Sequence, residues 1–338
     1  MVYSAVTRAR LALYRSGALA ARTIPAPVIS VGNLTTGGTG KTPLVEWIAR
    51  ALARDGFRVC ILTRGYGRRD PQARVIVSDG ERLLADARRG GDEPRLLAES
   101  LLGVAAVISD ADRAGAARWA LEHLRSDLFI LDDGFQHLRL ARDLDIVTVD
   151  AMNPWGGGHL LPRGRLREPR RGLARADCIV ITRADQSPDT AHLRAQIGKI
   201  CGGRPVILSH AHTARLRHVT SGEVLPESAI AQPVGAFCAV GNPQAFFSHL
   251  RRDGHTINYT RTFPDHHVYT QDDLDEVTHE AAQAGAQGLL TTAKDAVKLG
   301  ALRCALACYS VEIELQFDDE ERLLNLVRST AQRGGLRS

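Results

Sequence analysis

The sequence predicts an α/β protein, with a mostly parallel sheet covered by helices on both faces and then a second, smaller α/β domain. Three observations carry this. Short β-branched runs alternate with helical patterns from Pro27 onward, and the runs are apolar throughout, as in strands buried on both faces. A Gly-rich turn joins the first run to the first of these helices. The rhythm then breaks and restarts once, after about residue 213, and 338 residues suit two domains of about 150 each. The predicted division is 1–212 and 213–338.

Taken in order, residues 1–24 hold Arg8, Arg10, Arg15 and Arg22 and no acid. Val2, Val6, Ala9, Leu13 and Ala20 recur at near-helical spacing. A basic amphipathic helix of this kind suits an anionic membrane surface, and it also suits packing on the domain. Strands are expected at Val28–Val31, Val59–Thr63, Val104–Ser109, Leu128–Asp132, Ile146–Asp150, Cys178–Thr182 and Val206–Ser209. Helices are expected at Pro43–Arg54, Glu93–Leu102 and Arg113–Arg125. Asn153–Arg175, rich in Gly, Pro and Arg, reads as a long functional loop. The second domain repeats the alternation: strands near Val234–Val240, Thr256–Thr260, Gly288–Thr292 and Ala307–Ile313, helices near Gln244–Arg252 and from Asp272.

Charge and cysteine usage narrow the class. Lys plus Arg number 43 against 38 Asp plus Glu, a weak +5 that calls for no nucleic-acid partner. Only Lys41, Lys199, Lys294 and Lys298 are lysines. Six scattered cysteines in mostly apolar surroundings read as buried free thiols in a reduced compartment. No run of 18 apolar residues encodes a membrane span, and no secretory leader is visible, which predicts a cytoplasmic protein.

Val28-Ile29-Ser30-Val31 leads into Gly32-Asn33-Leu34-Thr35-Thr36-Gly37-Gly38-Thr39-Gly40-Lys41-Thr42, and a helix follows. Strand, Gly-rich turn, Lys-Thr and helix make a phosphate-binding loop. Glycines let backbone N–H groups wrap a phosphate, and the helix N-terminus favours its charge. Lys41 is expected on the β/γ-phosphates and the Thr42 hydroxyl on Mg²⁺. The strict motif places Gly where this chain has Thr35; the pair Gly37-Gly38 serves instead. The second Mg²⁺ ligand should end a neighbouring strand, where Asp132 and Asp133 close Leu128-Phe129-Ile130-Leu131. Asp150 also ends a strand but lacks supporting residues and reads as structural.

Nucleotide binding alone leaves motors, switches, chaperones and metabolic kinases open. A kinase needs a base at the acceptor hydroxyl and cations near the phosphoryl group. Gly91-Asp92-Glu93-Pro94 stands where a helix begins, so Asp92 reads either as that base or as a helix cap. Phe263-Pro264-Asp265-His266-His267 is a second polar cluster, which by itself also fits a satisfied surface pair. From Arg163 to Arg175 there are six Arg and one Glu, suited to an anionic ligand or headgroup.

Together these motifs resemble the tetraacyldisaccharide 4′-kinase family of lipid A biosynthesis. Seven collinear blocks carry the likeness: the loop through Pro43, Arg64-Gly65-Tyr66-Gly67, Gly91–Pro94, Asp132-Asp133-Gly134-Phe135-Gln136-His137, Leu161-Pro162 with Leu166-Arg167-Glu168, Asp265-His266, and Lys294-Asp295-Ala296-Val297-Lys298. The resemblance implies ATP- and Mg²⁺-dependent phosphorylation of the 4′-hydroxyl of a tetraacylated disaccharide 1-phosphate. It implies a peripheral enzyme at the cytoplasmic face of the inner membrane, with two α/β/α domains, a short β-linker and the active site in the cleft. It makes Asp92 the base and His266 its partner, puts Thr42, Asp132 and Asp133 at Mg²⁺, and sets Arg167 and Glu168 on the substrate side. Three departures stand out: the basic helix has no longer hydrophobic leader, Arg163 and Arg165 replace the family's Ala and Pro, and Ala293 precedes Lys294-Asp295. The rival class is a GTPase-type switch, for which Thr182-Arg183-Ala184-Asp185 resembles a guanine-reading motif with Arg in place of Lys.

Overall fold

In a computed structural model, which describes residues 2–265, 267–299 and 302–334, the chain forms two compact units. The first comprises residues 1–210 and 315–338, the second 211–314.

In the first unit, α1 (Val2–Arg15) precedes β1 (Val28–Asn33) and α2 (Lys41–Arg54). Then follow β2 (Val59–Thr63), β3 (Val75–Ser78), the single turn α3 (Ala87–Gly90), α4 (Asp92–Ser100), β4 (Ala105–Ser109) and α5 (Arg113–His123). β5 (Leu128–Asp132), β6 (Leu144–Asp150), β7 (Cys178–Thr182) and α6 (Thr190–Cys201) complete the outward path, and β8 (Val206–His218) begins in this unit and continues past its boundary at residue 210. The strand order is β8-β7-β6-β1-β5-β2-β4-β3, parallel except for β3, which runs antiparallel to β4.

Side-chain alternation along β5 shows why its run is apolar on every residue. Leu128 and Ile130 join one core with Leu44, Val45, Ile48 and Leu52 of α2, while Phe129 and Leu131 join another with Ala114, Ala117 and Ala120 of α5. A strand covered on both faces has no solvent side on which to place polar residues. Parallel register sets Val31 of β1 beside Asp132 of β5, so the acid lies next to the strand that enters the phosphate loop.

The second unit adds β9 (Val224–Leu225), β10 (Val234–Cys238), α7 (Pro243–Arg252), β11 (Ile257–Thr262), α8 (Gln271–Gln283), β12 (Leu289–Thr292), α9 (Ala293–Leu299) and β13 (Cys308–Phe317). Its parallel strands run in the order β11-β10-β12-β13, with apolar clusters around Phe237 and Leu289 and around Cys238 and Leu290. α10 (Glu320–Gly334) then returns to the first unit.

Several expectations change. Residues 315–338 belong with the first unit, because Leu323, Val327 and Ala331, four apart on α10, enter the core of α2 and β1. The first crossing falls after residue 210. α1 ends at Arg15, so Ala20 lies beyond it, and Arg22 pairs in backbone fashion with Leu140. β8 runs past Ser209 to His218. β3, α6 and α10 add to the expected elements. The six cysteines are free, five of them buried.

Candidate active site

The phosphate loop bridges β1 and α2, and its shape depends on two glycines. Gly40 caps α2 with φ 72°, and a Cβ there would stand 3.1 Å from Cγ2 of Thr182. Gly37 has φ 109°. Both backbones lie in the left-handed region that favours glycine. The loop is tied from beneath: Asn33 Nδ2 donates to Thr39 Oγ1 at 2.9 Å, Thr39 Oγ1 lies 2.8 Å from Thr148 Oγ1, and Thr182 Oγ1 donates to the Thr39 carbonyl at 3.0 Å. Thr35 sits in this frame buried, bridged antiparallel to Leu166.

The two acids ending β5 have opposite fates. Asp133, held at φ 51°, faces cations: Lys41 Nζ is 3.7 Å from its Oδ1, and Arg167 Nη1 donates to its Oδ2 at 2.6 Å. Burial opposes ionisation there, but Lys41 and Arg167 outweigh it and hold the carboxyl below the usual range. Asp132 is buried, with Glu93 and Asp133 nearby, and is pushed up to about 7 against the pull of Lys41 and Arg113. Its Oδ2 accepts from Thr63 Oγ1 at 3.3 Å.

Arg113 braces this corner. It donates to the Asp132 carbonyl at 3.2 Å and approaches Nδ1 of His137 at 3.2 Å. A guanidinium only donates, so Nδ1 accepts and the neutral ring carries its proton on Nε2. Burial, with Arg113 and Arg142 close by, drops His137 to about 3. Asp92 is the first residue of α4, half-buried, with Gly91 rather than Asp92 in the capping position. Asp150 is bound by Arg183 and accepts from the Met152 N–H at 3.1 Å, the structural part expected of it. The cation of the GTPase-like Thr182–Asp185 motif is thereby committed to a carboxylate.

These parts form a phosphate cradle with cations and hard oxygen donors beside it. The family model of tetraacyldisaccharide-1-P 4′-kinase, LpxK, matches residues 1–332. The chain belongs to this family. A tetraacyldisaccharide 4′-kinase of Anaeromyxobacter dehalogenans is 45% identical over 307 residues, covering 90% of this chain and 81% of the relative. One of Geobacter metallireducens is 41% identical over 95% of this chain and 93% of its own. The crystal structure of the "apo" form of LpxK from Aquifex aeolicus in complex with ATP matches at 32% identity and TM-score 0.80, covering 98% of this chain and 96% of that one. The family and its α/β fold therefore stand as the sequence predicted.

Within this kinase family frame, Arg167 and Glu168 divide their work. Arg167 reaches Asp133, while the Glu168 side chain is 1% exposed, gripped by Arg175 at 2.5 Å and by Gln136 Nε2 at 2.9 Å. So enclosed, the Glu168 carboxylate ties Arg175 and Gln136 together within the loop. Gln136 also donates to the Asn33 carbonyl at 2.9 Å, which joins this network to the end of β1. Of the six arginines expected to form one anion-binding patch, Arg167 and Arg175 are thus paired internally, and Arg170 lies over Trp155.

In the second unit, Lys294 Nζ pairs with Asp265 at 3.1 Å, and Lys298 Nζ donates to the His267 carbonyl at 3.2 Å. His267 stacks on Phe263 and bonds Asp273 at 3.0 Å. The Lys294–Lys298 motif therefore pins the segment carrying His266, itself outside the described residues. Of the residues the structure adds to the site, Glu93 stands inside the Gly91–Pro94 block and Arg175 inside the 163–175 patch, whereas Thr63 and Arg113, at a strand end and a helix start, carry no chemical signal in the sequence.

Proposed function

We propose that the chain transfers the γ-phosphoryl group of ATP to the 4′-hydroxyl of a tetraacylated glucosamine disaccharide 1-phosphate, with the nucleotide on loop 34–42 and Asp92 as base. The observation that carries this is the sharing of Asp133 by Lys41 of the loop and Arg167 of the substrate-side motif. It links the cradle to the second cation within one salt-bridged group.

Mg²⁺ fits the donor set. Thr42 Oγ1 makes no hydrogen bond among the described residues, Asp132 is a buried carboxyl, and Asp133 Oδ1 is buried without a hydrogen-bond partner. Hard oxygen donors suit this ion, which typically uses one or two carboxylates plus substrate phosphates. Among the described residues no three His, Cys, Asp or Glu side chains gather as a closed metal cage. When bound, Mg²⁺ offsets phosphate charge during transfer.

Lys41 and the loop N–H groups hold the β- and γ-phosphates while Asp92 accepts the acceptor hydroxyl proton. The acceptor oxygen bonds to the γ-phosphorus, the bond to the β–γ bridging oxygen breaks, and ADP leaves. A carboxylate is a weak base, so positioning and charge neutralisation supply most of the rate. Acting on a lipid calls for a membrane surface. We assign that contact to α1, at the cytoplasmic face of the inner membrane, as peripheral attachment, since no described helix is long and apolar enough to cross.

Phosphoryl transfer from labelled ATP to the disaccharide 1-phosphate tests the reading. Lys41→Ala and Asp92→Asn are each expected to lower kcat by about 10²-fold or more. His266→Ala should cost less than Asp92→Asn. An Asp92→Asn enzyme with unchanged turnover refutes the base.

A further inference from the structure

Arg165 is fixed over the phosphate loop by main-chain bonds on either side of it. The Thr36 N–H donates to the Arg165 carbonyl at 2.7 Å, the Arg167 N–H donates to the Leu34 carbonyl at 2.7 Å, and the Arg165 N–H donates to Gly156 at 3.0 Å. Thr35 and Leu166 form the antiparallel bridge between the two segments. From this anchor the side chain lies against Gly37, where any Cβ would run into Nη2 and stand 3.1 Å from Cζ. Gly37 therefore serves two purposes: its φ of 109° and the room for a guanidinium.

The charge there is unanswered. Arg165 is exposed, and its guanidinium has no carboxylate or carbonyl partner among the described residues, although Arg167 and Arg175 of the same segment each hold one. A cation set against a loop built to aim N–H groups at an anion places like partial charges together, an arrangement that becomes favourable once an anion lies between them. The planar fork of Arg matches phosphate oxygens in a bidentate way that Lys cannot.

We propose that Arg165 is a phosphate-contacting residue of the nucleotide site, closing over the loop at Gly37 and donating to the terminal phosphate of ATP. This rests on the assignment of loop 34–42 to ATP. Arg163, exposed two residues earlier, has no part in it.

Calorimetric titration of the full chain with ATP and with ADP, both with Mg²⁺, tests the contact without any lipid acceptor. Arg165→Gln keeps every main-chain bond that seats the segment, and its thermal melting should match the parent. ATP affinity is expected to fall about tenfold or more and ADP affinity to stay within about twofold, with kcat lowered by about 10²-fold, as for loss of a charge-stabilising donor. Arg165→Lys should recover most of the ATP affinity and only part of kcat, and Arg163→Gln should leave both unchanged. Equal losses for ATP and ADP, or an Arg165→Gln protein within twofold of the parent in both ATP affinity and kcat, overturn the proposal. If the parent binds ATP but does not phosphorylate the disaccharide, the acceptor assignment fails, and the ATP/ADP contrast still decides Arg165.

Discussion

Asp132 and Asp133 are adjacent in the chain, yet one carboxyl is raised to about 7 and the other held low. The difference lies in who faces them: Glu93 and burial for the first, Lys41 and Arg167 for the second. No spacing rule separates them, because the deciding charges come from three other elements. The phosphate loop was legible for the opposite reason, since its glycines, lysine and threonine are consecutive. His137 supplies a prediction at this scale. Its folded value of about 3 lies below the ordinary 6.5, so the unfolded chain binds the proton first as pH falls. Its contribution is whole above pH 6.5 and is lost progressively toward pH 3, at no more than about 1.4 kcal/mol per pH unit. Denaturant unfolding at pH 7 and pH 5.5 should show a smaller difference for His137→Asn than for the parent. Equal differences would remove His137 from the account.

At the level of elements, the central strands were readable because double-sided burial leaves them uniformly apolar. β3 was not: it is a four-residue edge strand, half of it partly exposed, and its pattern is too short to stand out. α10 carried a readable signal in the spacing of Leu323, Val327 and Ala331, but nothing local says which core they enter. Leu323 is fully buried, and Leu323→Ala should destabilise the protein by about 2–5 kcal/mol, measured by chemical denaturation. A cost near zero would mean that α10 does not hold the first unit together. The Arg-rich 163–175 segment was read as one patch, whereas pairing to Asp133 and Glu168 converts two of its charges into internal struts. Composition reports charge; partners decide what it does.

Across the whole molecule, a net +5 conceals where the free cations are. Arg22, counted with the N-terminal basic group, meets Asp112 at 3.2 Å, so the contact with an anionic surface that we propose for α1 rests on the three arginines of its sequence, Arg8, Arg10 and Arg15. Each basic residue near such a surface is worth about 1 kcal/mol, so removing residues 2–15 should weaken binding to anionic vesicles by about 10²-fold. Co-sedimentation with phosphatidylglycerol vesicles, against neutral ones, measures this. Unchanged binding would return α1 to a packing role, visible as a lowered melting temperature of the shortened chain.

The return of residues 315–338 to the first unit also sets a timetable. The second unit is an insertion within the first, contiguous from residue 211 to 314, and each of its strands is made before the ribosome reaches Leu323. Amino-terminal domains ordinarily fold first as they emerge. Here the amino-terminal unit waits for α10, with the pocket for Leu323, Val327 and Ala331 beside α2 unfilled until the second unit has been made. The nucleotide loop, which opens directly into α2, thus acquires its finished support only after the second unit has been made.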